Sequence, residues 1–412
     1  MRIAFIFAIW AIHSFSFAGQ VISLQVANQL ALEHNIELQT YPFTIRRQDA
    51  LTVQAGVIPT PEISFEANDL LGTNDYGVFE QAELSLVFSQ TVEMGGKRHH
   101  RLALSRASKD KLTLEYELAK LDVLAETSLR FYQLLELQLV KEILQDKVNQ
   151  EQETLHKIAK LVEVGAVDLV DKLSVSLRLK RSKSNLIKLG SQIKIQKNRL
   201  SAMWQKTADF SQVKGDLFSL PNLPTKERLL DLLEETPDIL HLLAVEREAD
   251  QRLGLMKAGL SADVKYFAGI NHKQMGSSQT VSVGVSVPLY FENPNKGRVD
   301  QALIDLQLSK HLVTLTKQKN KLLLVEHWQK MQRHFQQVMQ LKNEILPVAK
   351  KLLIATSKSY ARGSSSILQV IDAQQQWLDL RVNLIEESSQ VFVELLTLER
   401  LTGANLTNRR GY

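Results

Sequence analysis

The sequence predicts a mainly α-helical chain with membrane-type β-strands, built as two tandem repeats of a strand hairpin followed by a long helical hairpin. Three observations carry this expectation. The chain matches itself at a fixed offset of 201 residues. Short segments alternate strictly between apolar and small or polar residues. Behind them lie helical stretches far longer than a globular domain uses, with apolar residues in 4-3 spacing.

The offset rests on separated anchors. Glu62-Ile63-Ser64-Phe65 answers Asp263-Val264-Lys265-Tyr266, Val170-Asp171 answers Ile371-Asp372, and Arg199-Leu200-Ser201 answers Arg400-Leu401-Thr402. The repeats are expected over 19–206 and 226–403. A link over 207–225 is punctuated by Gly215, Pro221 and Pro224, and a tail follows over 404–412. Ahead of the first repeat, Arg2, the apolar run Ile3 to Ile12 and Ser16-Phe17-Ala18 form a secretory signal over 1–18. That apolar run is too short to cross about 30 Å of hydrocarbon, so the mature chain is expected to begin near Gly19.

Strands are expected over 62–70, 80–93, 262–272 and 280–291. From Val281 to Leu289 every second residue is apolar, and Leu84, Leu86 and Phe88 share one side of their segment. Period two gives one oily face and one wet face. In an exported chain, strands of about 9–11 residues suffice to cross an outer membrane. Four strands cannot close a barrel, because membrane barrels start at about eight and lipid tolerates no unpaired edge. Several copies must then pool their strands.

Helical hairpins are expected over 97–205 and 296–402. Lys97 to Val164 holds no proline, and Leu114, Leu118, Leu121, Ala125, Tyr132, Leu135 and Leu139 keep 4-3 spacing. Leu324, Trp328, Met331, Phe335 and Val338 do the same in the second half, where Pro347 is expected to bend the helix. Gly165 and Gly363 stop the outgoing helices.

The chemistry of an enzyme is absent. There is no HExxH, phosphate-binding glycine loop or G-x-S-x-G, and Ser364-Ser365-Ser366 has no histidine beside it. The chain has no cysteine, so thiol catalysis and N-terminal lipidation are excluded. A net charge of +5 over 412 residues gives no nucleic-acid footprint. His99-His100 with Met94 does not predict a metal site: adjacent helical residues point about 100° apart, and Arg98 and Arg101 flank them. His327 and His334 are seven residues apart, too far to share one ion. No cofactor is expected.

Ser89-Gln90-Thr91-Val92-Glu93-Met94-Gly95-Gly96-Lys97-Arg98 resembles the strand-to-helix signature of TolC-like outer membrane efflux proteins, in the CzcC-like branch serving heavy-metal pumps of the resistance-nodulation-division (RND) type. Val287-Pro288-Leu289-Tyr290-Phe291 with Asn293, Asn295 and Gly297 is similar to that branch's second strand exit. Gly165-Ala166-Val167-Asp168 with Asp171 resembles its first helical turn, and Tyr360, Gly363, Asp372 and Ala373 the second. The resemblance implies a homotrimer in the outer membrane of a Gram-negative bacterium, with a 12-stranded β-barrel and an α-helical tunnel through the periplasm. It also implies a periplasmic adaptor (membrane fusion protein) and an inner-membrane RND pump as partners, with outer membrane lipid around the barrel. Asp171, Tyr360 and Asp372 then become channel-gate candidates, and Gly165, Asp168 and Gly363 tip and adaptor-contact candidates. Ser365 stands where relatives carry a gate arginine, and Gln369 where a second aspartate occurs.

The implied function is passive export of heavy-metal cations for a proton-driven pump. Ducts for drug efflux or type I protein secretion share the pattern. The residues alone also suit a soluble periplasmic coiled-coil scaffold or adaptor, with Asp372 a solvated turn carboxylate.

Overall fold

The computed structural model describes residues 19–70, 82–290 and 292–406. The export signal over 1–18, the first two residues of the strand expected over 80–93, Phe291, and the tail from 407 lie outside the described residues. The first half runs β1 (Gln20–Ser23), α1 (Leu24–His34), α2 (Ile36–Ala55), β2 (Glu62–Asn68), β3 (Glu83–Val92), α3 (Lys97–Glu163) and α4 (Leu169–Ser201). After β4 (Phe210–Lys214) and α5 (Lys226–Asp231) come α6 (Pro237–Ala258), β5 (Val264–Lys273), β6 (Ser278–Ser286), α7 (Lys296–Gln340), α8 (Leu346–Ala361) and α9 (Ile367–Thr402). The described residues divide into two compact units, one of residues 19–39, 119–233 and 321–406, the other of 40–70, 82–118, 234–290 and 292–320.

The first unit is held by helical seams. On α7, Leu324, Met331 and Val338 are buried at seven-residue intervals, and they meet Val391, Leu395, Leu398 and Leu401 of α9. Such spacing keeps one face of each helix turned toward its neighbour. Beside this seam run two rungs of an antiparallel ladder. His327 Nδ1 lies 2.6 Å from Glu394 Oε2, and His334 Nδ1 lies 2.6 Å from Glu387 Oε2. Arg333 approaches His334 Nε2 at 2.9 Å. An arginine N–H only donates, so Nε2 accepts and Nδ1 carries the proton given to Glu387. The two histidines thus have a carboxylate each.

Pro347 interrupts the helix as a π-helical turn over Leu341–Ile345, just ahead of α8. The proline cannot donate to the preceding turn and crowds its carbonyl, and the wider turn accommodates both. The link over 207–225 is not plain: it contains β4, which pairs in parallel with β1 through Val21–Gln212, Ile22–Val213 and Ser23–Lys214.

Glu136, on α3, is pushed above the usual carboxylate range by burial and by the nearby charge of Glu386. The sign follows from linkage. The folded chain holds on to a proton that the unfolded chain releases at about pH 4.5, so stability is lost as pH rises through the folded value. Glu136→Gln is therefore expected to raise the melting temperature at pH 7. Melting curves recorded across pH should show the gain vanish below about pH 4.5.

The second unit carries one antiparallel sheet of order β2-β3-β5-β6. Its helical part is tied by Tyr41 stacked on Tyr116 and by Glu248, which receives Lys111 at 2.7 Å and Ser108 at 3.0 Å.

Candidate functional site

Two regions carry the features the sequence singled out, one in each unit.

In the sheet, register decides the character of each face. Phe88 sits opposite Ile63 and Ala268, Leu86 opposite Phe65 and Ile270, and Val281, Val283 and Val285 oppose Ile270, Ala268 and Tyr266. All these side chains fall on one face, and that face is bare: Ile63, Val281 and Val283 are each about three-quarters exposed. The opposite face holds Ser64, Ser85, Ser89, Asn271, Thr280, Ser282 and Ser286, with ion pairs Lys265–Glu62 at 2.8 Å and Lys273–Glu83 at 3.6 Å. Phe267 lies on this wet face but over Gly284, where an added Cβ would meet its ring at 2.3 Å. A sheet with a continuous apolar exterior and a polar, charged reverse is the strand arrangement of a barrel wall between lipid and water. Among the described residues β2 and β6 are each paired on one side only, which leaves the sheet two open edges.

The strand-to-helix signature is a clasp. Gly95 and Gly96 both take positive φ, +69° and +71°, which turns β3 into α3. Asp263 receives Lys97 Nζ at 2.7 Å and the Met94 backbone N–H at 3.0 Å. Arg101 forks onto both oxygens of Glu93 and also donates to the carbonyls of Ala55 and Val57, while Arg98 donates to that of Gly56. The basic residues of the motif thus hold backbone in place. Among the described residues no three His, Asp or Glu side chains converge as a metal site.

In the helical unit, the two turns are capped by different chemistry. Gly165 (φ +72°) and Gly363 (φ +75°) end the outgoing helices, with Ala166 N–H bonded to Leu161 O and Ser364 N–H to Ser359 O. Asp168 caps α4 through Val170 N–H at 2.9 Å. Ser366 caps α9 in a reciprocal capping box with Gln369, so Gln369 serves the helix start. Ser365 Oγ donates to Thr356 O at 3.3 Å. Tyr360 lies half-buried on the last turn of α8, and Asp171 half-buried on the first turn of α4.

The caps correct one anchor of the repeat. Gly165 and Gly363, and Asp168 and Ser366, are 198 residues apart, which aligns Asp171 with Gln369. The match of Val170-Asp171 to Ile371-Asp372 at 201 therefore joins positions nearly one helical turn apart. α9 has 36 residues against 33 in α4, and the three extra restore the offset of 201 at the helix ends.

Asp372 is well exposed, and its Oδ1 accepts from the Arg178 guanidinium of α4 at 3.4 Å. The contact sits on an apolar cluster of Ile158, Val175 and Ile371, flanked by Leu155, Val162, Val167 and Ile367. Lys147 and Gln150 of α3 bond to Gln375 and Gln374 of α9. These polar contacts, with Arg400 to Asp122 nearer the far end of α9, stitch α9 of the second repeat to the helical hairpin of the first. Sequence reading missed Arg178, because nothing in its local pattern separates it from the other basic residues of α4.

Comparison with known proteins gives a consistent result. A family model described as outer membrane efflux protein matches residues 27–205 and 229–404, one stretch in each half. The cobalt-zinc-cadmium resistance protein CzcC of Cupriavidus metallidurans is 22% identical over 393 residues, covering 94% of this chain and 91% of that protein. Among solved structures, CusC superposes with a TM-score of 0.77 at 15% identity, over 93% of this chain and 92% of that one. VceC of Vibrio cholerae gives 0.74 at 17% identity, over 93% and 96%. The open state of the Neisseria gonorrhoeae MtrE channel gives 0.73 at 14% identity, over 93% and 89%.

Proposed function

Because the chain belongs to the outer membrane efflux protein family, a channel family and not an enzyme family, we propose that it is the outer-membrane duct of a tripartite pump for heavy-metal cations. The observation that carries the assembly is the sheet: one bare apolar face, one polar face and two open edges. Lipid permits no open edge, so β2 of one copy must pair with β6 of the next. Three copies make twelve strands. The helical turns at Gly165, Asp168 and Gly363 face the periplasmic adaptor, and a proton-driven RND pump supplies the energy. Asp171, Tyr360 and Asp372 form the gate. Likeness to a cobalt-zinc-cadmium resistance protein supports metal cations as cargo, ahead of drugs or secreted proteins.

Light scattering on detergent-extracted particles from outer-membrane fractions tests the assembly. Three copies per particle are expected; a monomer in the soluble periplasmic fraction overturns the barrel. For the gate, Asp372→Asn removes an exposed ion pair in each copy. Such pairs contribute roughly 0–1 kcal/mol each, so three together contribute up to about 3 kcal/mol and shift the open-to-closed ratio by up to roughly a hundredfold. Planar-bilayer conductance of the purified protein is expected to rise accordingly.

A further inference from the structure

Arg178, the partner of Asp372, also lines a cavity between α3, α4 and α9. Lys147, Glu151, Thr154, Val175, Arg178, Ile371, Gln374, Gln375 and Leu378 line it. Glu151 Oε2 is buried there without a hydrogen-bond partner. A buried carboxylate oxygen left unpaired is costly, and a guanidinium with five donors on a long, jointed stem lines the same cavity. Arg178 now gives one N–H to Asp372, at the long end of hydrogen-bond range and only half-shielded from water.

We propose that Arg178 has two partners: Asp372 when the gate is closed, and Glu151 when it is open. The inference rests on Asp372 being part of the gate, as proposed above. Connectivity is what makes the exchange useful. Arg178 and Glu151 belong to the same α3–α4 hairpin, whereas Asp372 belongs to the second repeat. Moving the guanidinium from Asp372 to Glu151 turns a contact between hairpins into one within a hairpin. α9 can then leave the first hairpin without stranding a cation, and the unpaired Glu151 Oε2 gains its partner in the same step. A gate with a second resting place for its cation has two defined states. Lys147, one turn before Glu151 on α3, competes for the same carboxylate, so the test must separate the two cations.

The experiment is planar-bilayer open probability of the full-length protein, with wild type beside Asp372→Asn, Glu151→Gln, Arg178→Met and the double variant Glu151→Gln/Arg178→Met. Asp372→Asn is expected to raise open probability and Glu151→Gln, which keeps the side-chain shape, to lower it about threefold or more. In the Arg178→Met background, Glu151→Gln should have no further effect. If Asp372→Asn is without effect, the gate reading itself fails and the exchange with it. If Asp372→Asn opens the channel while Glu151→Gln leaves it unchanged or opens it, only the second partner is overturned. A Glu151→Gln effect that persists without Arg178 assigns the carboxylate to Lys147 and also overturns the proposal.

Discussion

Val283→Arg is expected to abolish the outer-membrane oligomer. Val283 is about three-quarters exposed at the middle of the apolar face, opposite Ala268 and two residues from Val281 and Val285. An arginine on the lipid face near the bilayer midplane costs about 2–4 kcal/mol. The cost recurs in every copy, so a trimer bears it three times. Thr280→Arg, on the opposite face of the same strand, meets water and should be tolerated. Separating outer-membrane fractions and comparing heated with unheated samples by electrophoresis reads both variants. Equal assembly of the two would contradict the lipid-facing assignment.

Gly95→Val is expected to have the next largest effect, on the joint between strand and helix. Gly95 has φ +69°, and a Cβ there would lie 2.4 Å from Ser261 Oγ and 3.0 Å from Ala258 O. A β-branched residue at positive φ costs of order 1–3 kcal/mol before any clash is counted. Here the clash involves backbone, which cannot simply swing aside. The melting temperature should fall by roughly 5 °C or more. Gly96→Ala is the control: its φ is +71°, but the only atom within 4 Å of the added Cβ is His100 Cδ2 at 3.8 Å, so strain alone should remain. Ser261→Gly should return part of the loss in Gly95→Val, since it removes one of the two obstacles and leaves the Ala258 carbonyl.

How far the chain could be read from its residues depended on how local each signal was. The lipid-type face was legible because Val281, Val283 and Val285 announce it within one strand, and register then extends it across the sheet. The turns at Gly165 and Gly363 were legible for the same reason, since a glycine at a helix end is a local cause of positive φ. β1 and β4 were not legible: at four and five residues they are too short to show alternation, and each exists only through the other. The pairing of Arg178 with Asp372 joins residues 194 apart, and no pattern on α4 marks that arginine. The spacing of His327 and His334 excludes a shared ion but says nothing of what they do bind: their partners, Glu394 and Glu387, lie on another helix running the opposite way. The false alignment of Asp171 with Asp372 shows the hazard of dipeptide matches inside a helix, where a slip of three residues keeps nearly the same face.

The small parallel pair has a consequence for the order in which the protein can mature. β1 stands at the start of the described chain, and its partner β4 lies 190 residues later. Threaded through an export channel amino end first, β1 reaches the far side long before β4 does. It must wait unpaired, with α3 and α4 emerging in between. Contacts of such long sequence separation form late and leave strand edges open to wrong partners meanwhile. β1 arrives early and is thus among the last elements to settle, and a holding chaperone would be needed most during that interval.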